Sequence, residues 1–386
     1  MRSTGESALS EKLWPRIVAT SSSPPLLLAR KDEAKADHYR KSSLTMPSSS
    51  RAETNPGNDG MATTTMKTIS LLILSIALAV AVRVEGAESR LLRLGHFPNI
   101  THAQALVAHN LSRQGKGWFE ERIGPGTKVE WFVYNAGPSA MEAIFAQSID
   151  LTYVGPGPAL NAYTRSNGSE IRLIAGAANG GAALVVQSDQ DLKTPADFRG
   201  KKVATPQLGN TQDISCRAWL TAGGLKITQL GGDAQVLPTQ NPDQLVLFQQ
   251  KKIDAVWTVE PWVSRLVGES RGKILVDEKD VATTVLVSSV KFLAQQRDLV
   301  RKVAQAHAEL TEWMTKNPEE AQKLARAELL EETKGDMASD LIAQSWKRIA
   351  FTAEVPSLSV ESFVQNSMKS GFIKSAPDLS KLFEKP

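Results

Sequence analysis

The sequence predicts an α/β protein built as two lobes around a cleft. Apolar strand-like and helix-like stretches alternate over residues 91–289, the pattern that layers helices on largely parallel strands. Four strand ends run straight into Gly/Pro/Asn-rich helix starts: Ala136-Gly-Pro-Ser139, Val154-Gly-Pro-Gly-Pro158, Leu208-Gly-Asn-Thr-Gln-Asp213 and Thr258-Val-Glu-Pro-Trp262. After residue 289 the pattern becomes helical only, as if the tail returns to complete the first lobe.

Taken in order, Leu91–Gly95 reads as a strand and His102–Ser112 as a helix; Lys128–Tyr134 and Ser139–Gln147 repeat the pair. Leu151–Val154, Ala159–Arg165 and Ile171–Ala175 follow. A second unit starts near the apolar strand Ala182–Gln187. Thr194-Pro195 is a cap with proline in the first turn, where its missing N–H costs nothing. Lys202–Thr205, Asn210–Ala222, Ala234–Leu237, Asp243–Gln250, Asp254–Thr258, Glu260–Gly268 and Lys273–Val276 continue the alternation, and Thr284–Ser288 runs back. Asp298–Lys316, Pro318–Leu330, Met337–Phe351 and Val360–Ser370 read as helices, the first two separated at Asn317-Pro318. The chain is expected to cross between lobes near 182–188 and return near 283–289. The expected division is 88–183 and 285–386 for the first lobe and 184–284 for the second.

The 386 residues carry a net charge of +4 with 22% charged residues, ordinary for a globular chain. Residues 1–86 hold 11 Lys+Arg against 8 Asp+Glu, and the remainder 34 against 33. The body is close to neutral, and pairs such as Lys201-Lys202 and Lys251-Lys252 read as solvated faces, so no nucleic-acid partner is expected. Residues 1–65 read as a disordered leader or a misplaced start. Residues 66–87 have the basic start, apolar run (Ile69–Val82) and small residues of a secretory signal, cut near Ala87. The alternative is a disordered extension with a membrane anchor.

Cys216 is the one cysteine, which excludes an intrachain disulfide and a Cys₄ zinc site, and it reads as a buried thiol. The sequence holds no His-Glu-x-x-His motif. No catalytic residue, metal ligand or cofactor is expected.

The order of motifs over Leu91 to Phe372 resembles the periplasmic solute-binding proteins of ABC-type sulfonate, taurine and nitrate uptake. The residues that carry it are Gly115-Lys-Gly-Trp-Phe-Glu-Glu121, Val129-Glu-Trp131, Ala136-Gly-Pro138, Ile149-Asp-Leu151 with Gly155, Asp197-Phe-Arg-Gly-Lys-Lys-Val203, Lys252-Ile-Asp-Ala-Val-Trp257 and Glu260-Pro-Trp262. The resemblance implies a two-lobed type II periplasmic binding protein fold with a discontinuous first lobe. It also implies a periplasmic monomer that hands a small organic anion to an inner-membrane ABC permease and ATPase. The paired prolines at 156 and 158 depart from the small or hydroxyl residues of the family and delete two amide donors. The basic pocket residues expected of nitrate or bicarbonate binders have no match, which favours an aliphatic sulfonate or taurine-like ligand. The rival readings are a nitrate- or bicarbonate-type binder and a ligand-sensing module for a membrane receptor. The related thiamine pyrimidine-precursor synthases use clustered cysteines that this chain lacks.

Ligands of open α/β sheets sit beyond the carboxyl ends of the strands, where helix N-termini favour anions. The expected site is therefore Thr101, an N-cap candidate, and His102, which either meets the ligand or stands on the helix surface or at its cap; Gly137, Ser139, Gly155 and Gly157 as backbone donors; and Asn210, Thr211, Gln212 and Asp213 at a second-lobe helix start, where Asn210 or Thr211 either meets the ligand or caps the helix. Glu260 is expected to meet a ligand ammonium or its own helix start, and Trp262 to line an aliphatic tail or to pack. Trp131 and Trp257 are assigned to the core or hinge.

Overall fold

The computed structural model describes residues 90–229, 231–354 and 357–385, so the leader and the expected secretory signal lie outside the described residues. The chain opens with β1 (Arg90–His96), α1 (Ala103–Arg113), α2 (Trp118–Ile123), β2 (Thr127–Val133), α3 (Gly137–Phe145), β3 (Leu151–Val154), α4 (Pro156–Arg165) and β4 (Ile171–Gly180). A second unit follows: β5 (Ala182–Val186), β6 (Lys202–Thr205), α5 (Thr211–Ala222), β7 (Ile227–Thr228), β8 (Gly231–Gly232), β9 (Gln235–Pro238), α6 (Asn241–Gln249), β10 (Ala255–Val259), α7 (Trp262–Ser270) and β11 (Lys273–Glu278). The return is β12 (Ala282–Ser289), α8 (Val290–Gln295), α9 (Arg297–Lys316), α10 (Pro318–Thr333), α11 (Ser339–Trp346), β13 (Ile349–Phe351) and α12 (Ser357–Lys369).

The strands form a six-stranded sheet ordered β13-β4-β12-β3-β1-β2 and a five-stranded sheet ordered β11-β5-β10-β6-β9, besides the small β7-β8 pair. Each large sheet has an apolar core on both faces. Leu184 and Val186 of β5 enter one core of the second lobe while Ala183 and Val185 enter the other, as the period of two in a strand requires. Strands buried on both faces read as unbroken apolar runs, which is why β3, β5 and β10 stand out in the sequence. Trp257 and Cys216 lie in the second-lobe core, and Trp131 packs on the edge of the first.

Three expectations need correction. The sheets are mixed, because β12 runs antiparallel to β3 and β4, and β5 antiparallel to β10 and β11. The crossing segments pass from strand to strand with no helix between, so they do not follow the parallel rule. The chain changes sheets at Gly180-Gly181 and returns between Glu278 and Ala282, a few residues ahead of the expected crossings. Both glycines have positive φ (77° and 73°), and a Cβ on Gly180 would lie 2.6 Å from the Lys279 carbonyl oxygen, so only glycine fits the first crossing. The tail is not helix only: Ile349–Phe351 pairs with β4 as an edge strand.

His307 illustrates how the first lobe handles a buried polar group. Its Nδ1 stands 2.9 Å from the Tyr153 hydroxyl and its Nε2 2.7 Å from the Gly176 carbonyl. A neutral ring satisfies both, accepting at Nδ1 and donating at Nε2. Burial lowers its pKa to about 4. The unfolded chain takes up this proton near its ordinary pKa of about 6.5, before the native state does. Stability is thus unaffected above about pH 6.5 and falls as pH drops toward about 4, by on the order of 3 kcal/mol across the window. Urea midpoints measured between pH 7.5 and 4.5 are expected to decline, with a shallower slope in His307→Gln. Equal slopes in the two chains would refute this assignment.

Candidate functional site

A cavity of about 20 Å³ lies between the lobes, at the carboxyl ends of strands from both sheets. Its room is little more than one water molecule needs. The first lobe contributes Asn99, Thr101 and His102 after β1, Asn135 and Gly137 at the start of α3, Gly155 and Pro158 at α4, and Thr283 of β12. The second contributes Asn210, Thr211 and Gln212 at α5, with Asn241 at α6 and Val259 of β10. No lysine, arginine, aspartate or glutamate is among the lining residues.

The second-lobe wall is a helix start built by its own sequence. Asn210 is the N-cap of α5, its side chain accepting from the Asp213 amide at 2.8 Å, and its Nδ2 donates to Gln212 Oε1 at 3.1 Å. Capping takes the third amide of the helix and leaves those of Thr211 and Gln212 without intrahelical partners. Asp213 itself turns inward: Oδ1 accepts from Thr205 Oγ1 at 2.9 Å, and Oδ2 from the Gly209 amide and Arg217 Nε, both at 2.9 Å. It holds the loop in place and does not line the cavity.

The first-lobe wall is a 3₁₀ turn, Ile100–His102, laid directly after β1. Thr101 sits inside that turn, whose cap position belongs to Asn99, so its expected capping role is not found. His102 is buried, tilted against Phe97 at 4.4 Å, and its Nδ1 has no protein partner. Burial pushes its pKa well below the ordinary value, with His96 adding to the effect, so the ring is neutral at pH 7. Asn99 accepts at Oδ1 from Trp262 Nε1 (3.0 Å) and Asn241 Nδ2 (3.5 Å). That geometry aims its own NH₂ away from these two donors.

Several expected ligand contacts are lobe contacts instead. The Gly157 amide donates across the cleft to Thr211 Oγ1 at 3.3 Å, and a Cβ on Gly157 would lie 3.1 Å from Thr211 Cα. Since Pro156 and Pro158 have no N–H, the first turn of α4 has no amide to spare for a ligand. Ser139 is outside the cavity wall, its hydroxyl donating to the Ala136 carbonyl at 2.7 Å. Glu260 is fully buried and outside the wall, accepting from the Ser264 amide and hydroxyl at 3.0 Å each. Burial raises its carboxyl pKa, partly offset by Ser264 and by Arg348, whose Nε lies 2.7 Å away. Arg348 also pairs with Asp277 at 2.7 Å, tying the first lobe to two carboxylates of the second. The cation opposite Glu260 therefore comes from the chain and not from a ligand ammonium. Trp262 does not line the cavity; it holds Asn99. Helix α7 starts at Trp262, after the expected Glu260-Pro261 opening.

Of the expected residues, Thr101, His102, Gly137, Gly155, Asn210, Thr211 and Gln212 meet at the cavity. Phe97, Asn99, Asn135, Asn241 and Thr283 line it without having been singled out. Asn241-Pro242 at the start of α6 is one more strand end running into a proline-led helix, so the same signal could have found it. Thr283 has no local motif; a crossing strand brings it there.

Residues 85–329 match the model of the NMT1-like family. A chain of Escherichia coli K12 named "Putative aliphatic sulfonates-binding protein" is 28% identical over 224 residues, 57% of this chain and 65% of its own. Among solved structures, the alkanesulfonate-binding protein SsuA from Xanthomonas axonopodis pv. citri, bound to MOPS, superposes with a TM-score of 0.64 at 19% identity, over 78% of this chain and 99% of that one. The periplasmic nitrate-binding protein NrtA from Synechocystis PCC 6803 gives 0.60 at 16%, over 75% and 84%. Two lobes, a first lobe interrupted by the second and a cleft at the strand ends are the type II periplasmic binding protein fold, and by the match over more than half of its length the chain belongs to the NMT1-like family.

Proposed function

We propose that the chain is the substrate-binding component of an ABC importer, working in the periplasm and capturing a small organic anion of the aliphatic sulfonate type. The observation that carries this reading is the wall itself: neutral amides, hydroxyls and helix-start amides from both lobes, with no side-chain charge. Such donors hold a compact anion through oriented dipoles without the cost of burying an ion pair. The Thr211 and Gln212 amides from one lobe and the Thr101, His102 and Asn99 groups from the other reach the ligand together only when the lobes are shut. Binding then stabilises the shut form, the shape an importer would read.

A second space of about 210 Å³ shares Pro158 with the first and is bordered by Pro138, Met141, Leu208 and Phe372, with the exposed Glu142–Arg165 ion pair (3.1 Å) on its rim. It is suited to an apolar tail attached to an acid head. Because Glu260 is paired with Arg348 and Glu142 with Arg165, an aminoalkyl group finds no unpaired carboxylate in either space. Plain alkanesulfonates are thus expected to outbind taurine, at least tenfold for ethanesulfonate, or about 1.4 kcal/mol. The small size of the first cavity favours a nitrate- or bicarbonate-type ion as the second reading.

Calorimetry against methane-, ethane- and hexanesulfonate, taurine, nitrate, bicarbonate and acetate separates these. Heat from the sulfonates alone supports the proposal. Preference for nitrate or bicarbonate supports the rival, and silence across the panel refutes both.

A further inference from the structure

The carboxyl end of β1 and the facing helices α1 and α10 enclose a cluster that the cavity does not use. His96 Nε2 lies 3.3 Å from His109 Nδ1 and 3.0 Å from Glu332 Oε1, and His109 Nδ1 lies 3.1 Å from the same Glu332 oxygen. Glu328, one helical turn before Glu332, places Oε1 2.8 Å from His109 Nδ1. All four side chains are shielded, with exposures of 0%, 9%, 2% and 0% for His96, His109, Glu332 and Glu328. Among the described residues, His96, His109 and Glu332 form a set whose donor atoms all fall within 4.8 Å of one another.

Protons alone satisfy this arrangement poorly. His109 Nδ1 can carry one hydrogen yet faces three polar atoms. The other nitrogen of His96, Nδ1, faces the Phe97 carbonyl at 3.4 Å. That contact favours a proton on Nδ1 and a lone pair on Nε2, which then points at the Glu332 carboxylate and at His109. The second oxygen of Glu332, Oε2, is buried without a partner. A tetrahedral cation with bonds of about 2.0–2.1 Å spaces its ligand atoms about 3.3 Å apart, close to the three distances here. The rings are already locked in place: His109 stacks on Trp131 at 5.0 Å and His96 meets its edge at 5.6 Å.

We propose that His96 Nε2, His109 Nδ1 and Glu332 form a buried three-ligand site for one first-row divalent cation of the zinc type. Two imidazoles and carboxylate oxygens suit zinc, cobalt or copper better than magnesium or calcium. Glu328 stands beside the site, taken up by Arg113 Nε at 2.8 Å and Asn110 Nδ2 at 3.2 Å. The ion would pin the end of α10 to α1 and β1. His96 immediately precedes the Phe97–His102 segment of the cavity wall, so its role is to stiffen that wall, with no part in ligand contact.

The test uses the untagged full chain stripped with a chelator and dialysed against about 100 µM Zn²⁺. One equivalent should remain by plasma emission spectrometry after gel filtration, and the melting temperature should rise by several degrees, as preferential binding to the native state requires. Glu332→Gln and His96→Asn should retain less than about a tenth of an equivalent while keeping the wild-type circular dichroism. Should either variant fail to fold, the Cu²⁺-loaded wild type decides, with two-nitrogen hyperfine splitting expected in its paramagnetic resonance spectrum. A folded wild type that retains no zinc, full retention in a folded Glu332→Gln chain, or a copper spectrum without nitrogen ligands would each overturn the proposal.

Discussion

Gly155→Val is expected to weaken ligand capture a hundredfold or more, about 2.7 kcal/mol, while both lobes stay folded. The backbone of Gly155 is in an ordinary extended conformation (φ −67°, ψ 148°), so the substitution meets no local strain. What forbids a side chain is the opposite lobe: a Cβ would lie 2.1 Å from Thr211 Oγ1 and 3.2 Å from Thr211 Cβ. Rotating the threonine hydroxyl removes the first clash and not the second, and the branched carbons of valine add more. If the lobes part as proposed, this contact is absent in the open form, so the cost should fall on closure and the measured affinity should fall with the population of the shut form. Small-angle scattering should show a larger radius of gyration with or without ligand, and calorimetry the weaker binding. A Kd within about threefold of wild type, with unchanged scattering, would show that Gly155 does not govern closure.

Removing the Arg217 side chain is expected to have the largest effect on stability. Arg217 and Asp213 are one turn apart on α5 and buried, with side-chain exposures of 2% and 0%. Besides pairing with Asp213, Arg217 donates to the Thr228 carbonyl at 2.7 Å and the Val236 carbonyl at 3.3 Å. Arg217→Met leaves Asp213 as a buried carboxylate with neutral donors only, at a cost of about 3–5 kcal/mol. The melting temperature should fall by on the order of 10 °C. In Arg217→Met with Asp213→Asn, no uncompensated charge remains, so part of the loss should return. Additive losses in the double variant, measured by urea unfolding, would mean that the two side chains do not act as a pair.

Much of this molecule is legible in its sequence because local rules settle it. Twin prolines and glycines mark the start of α4, Asn210 caps α5 as its position after a strand suggests, and the apolar runs of β3, β5 and β10 announce strands buried on both faces. Helix boundaries in the tail follow the 3.6-residue pattern, except that Ile349–Phe351 became a strand because β4 offered an unpaired edge. A three-residue apolar stretch has no period of its own to prevent that.

What the local rules left open was the use to which each polar group is put. Glu260, Asp213, Trp262, Ser139 and Gly157 stand at strand ends and helix starts just as Thr101, Asn210 and Gln212 do. In the folded chain their partners are Arg348, Arg217, Asn99, Ala136 and Thr211. Most of these partnerships join residues more than fifty positions apart, and nothing in the spacing encodes them. The sequence alone thus determined most of the elements, the interrupted first lobe and the face on which the cleft opens. The tertiary structure decided which donors remain free in that cleft. A buried polar group takes whichever partner packing brings within 3 Å, and only those left over can hold a ligand.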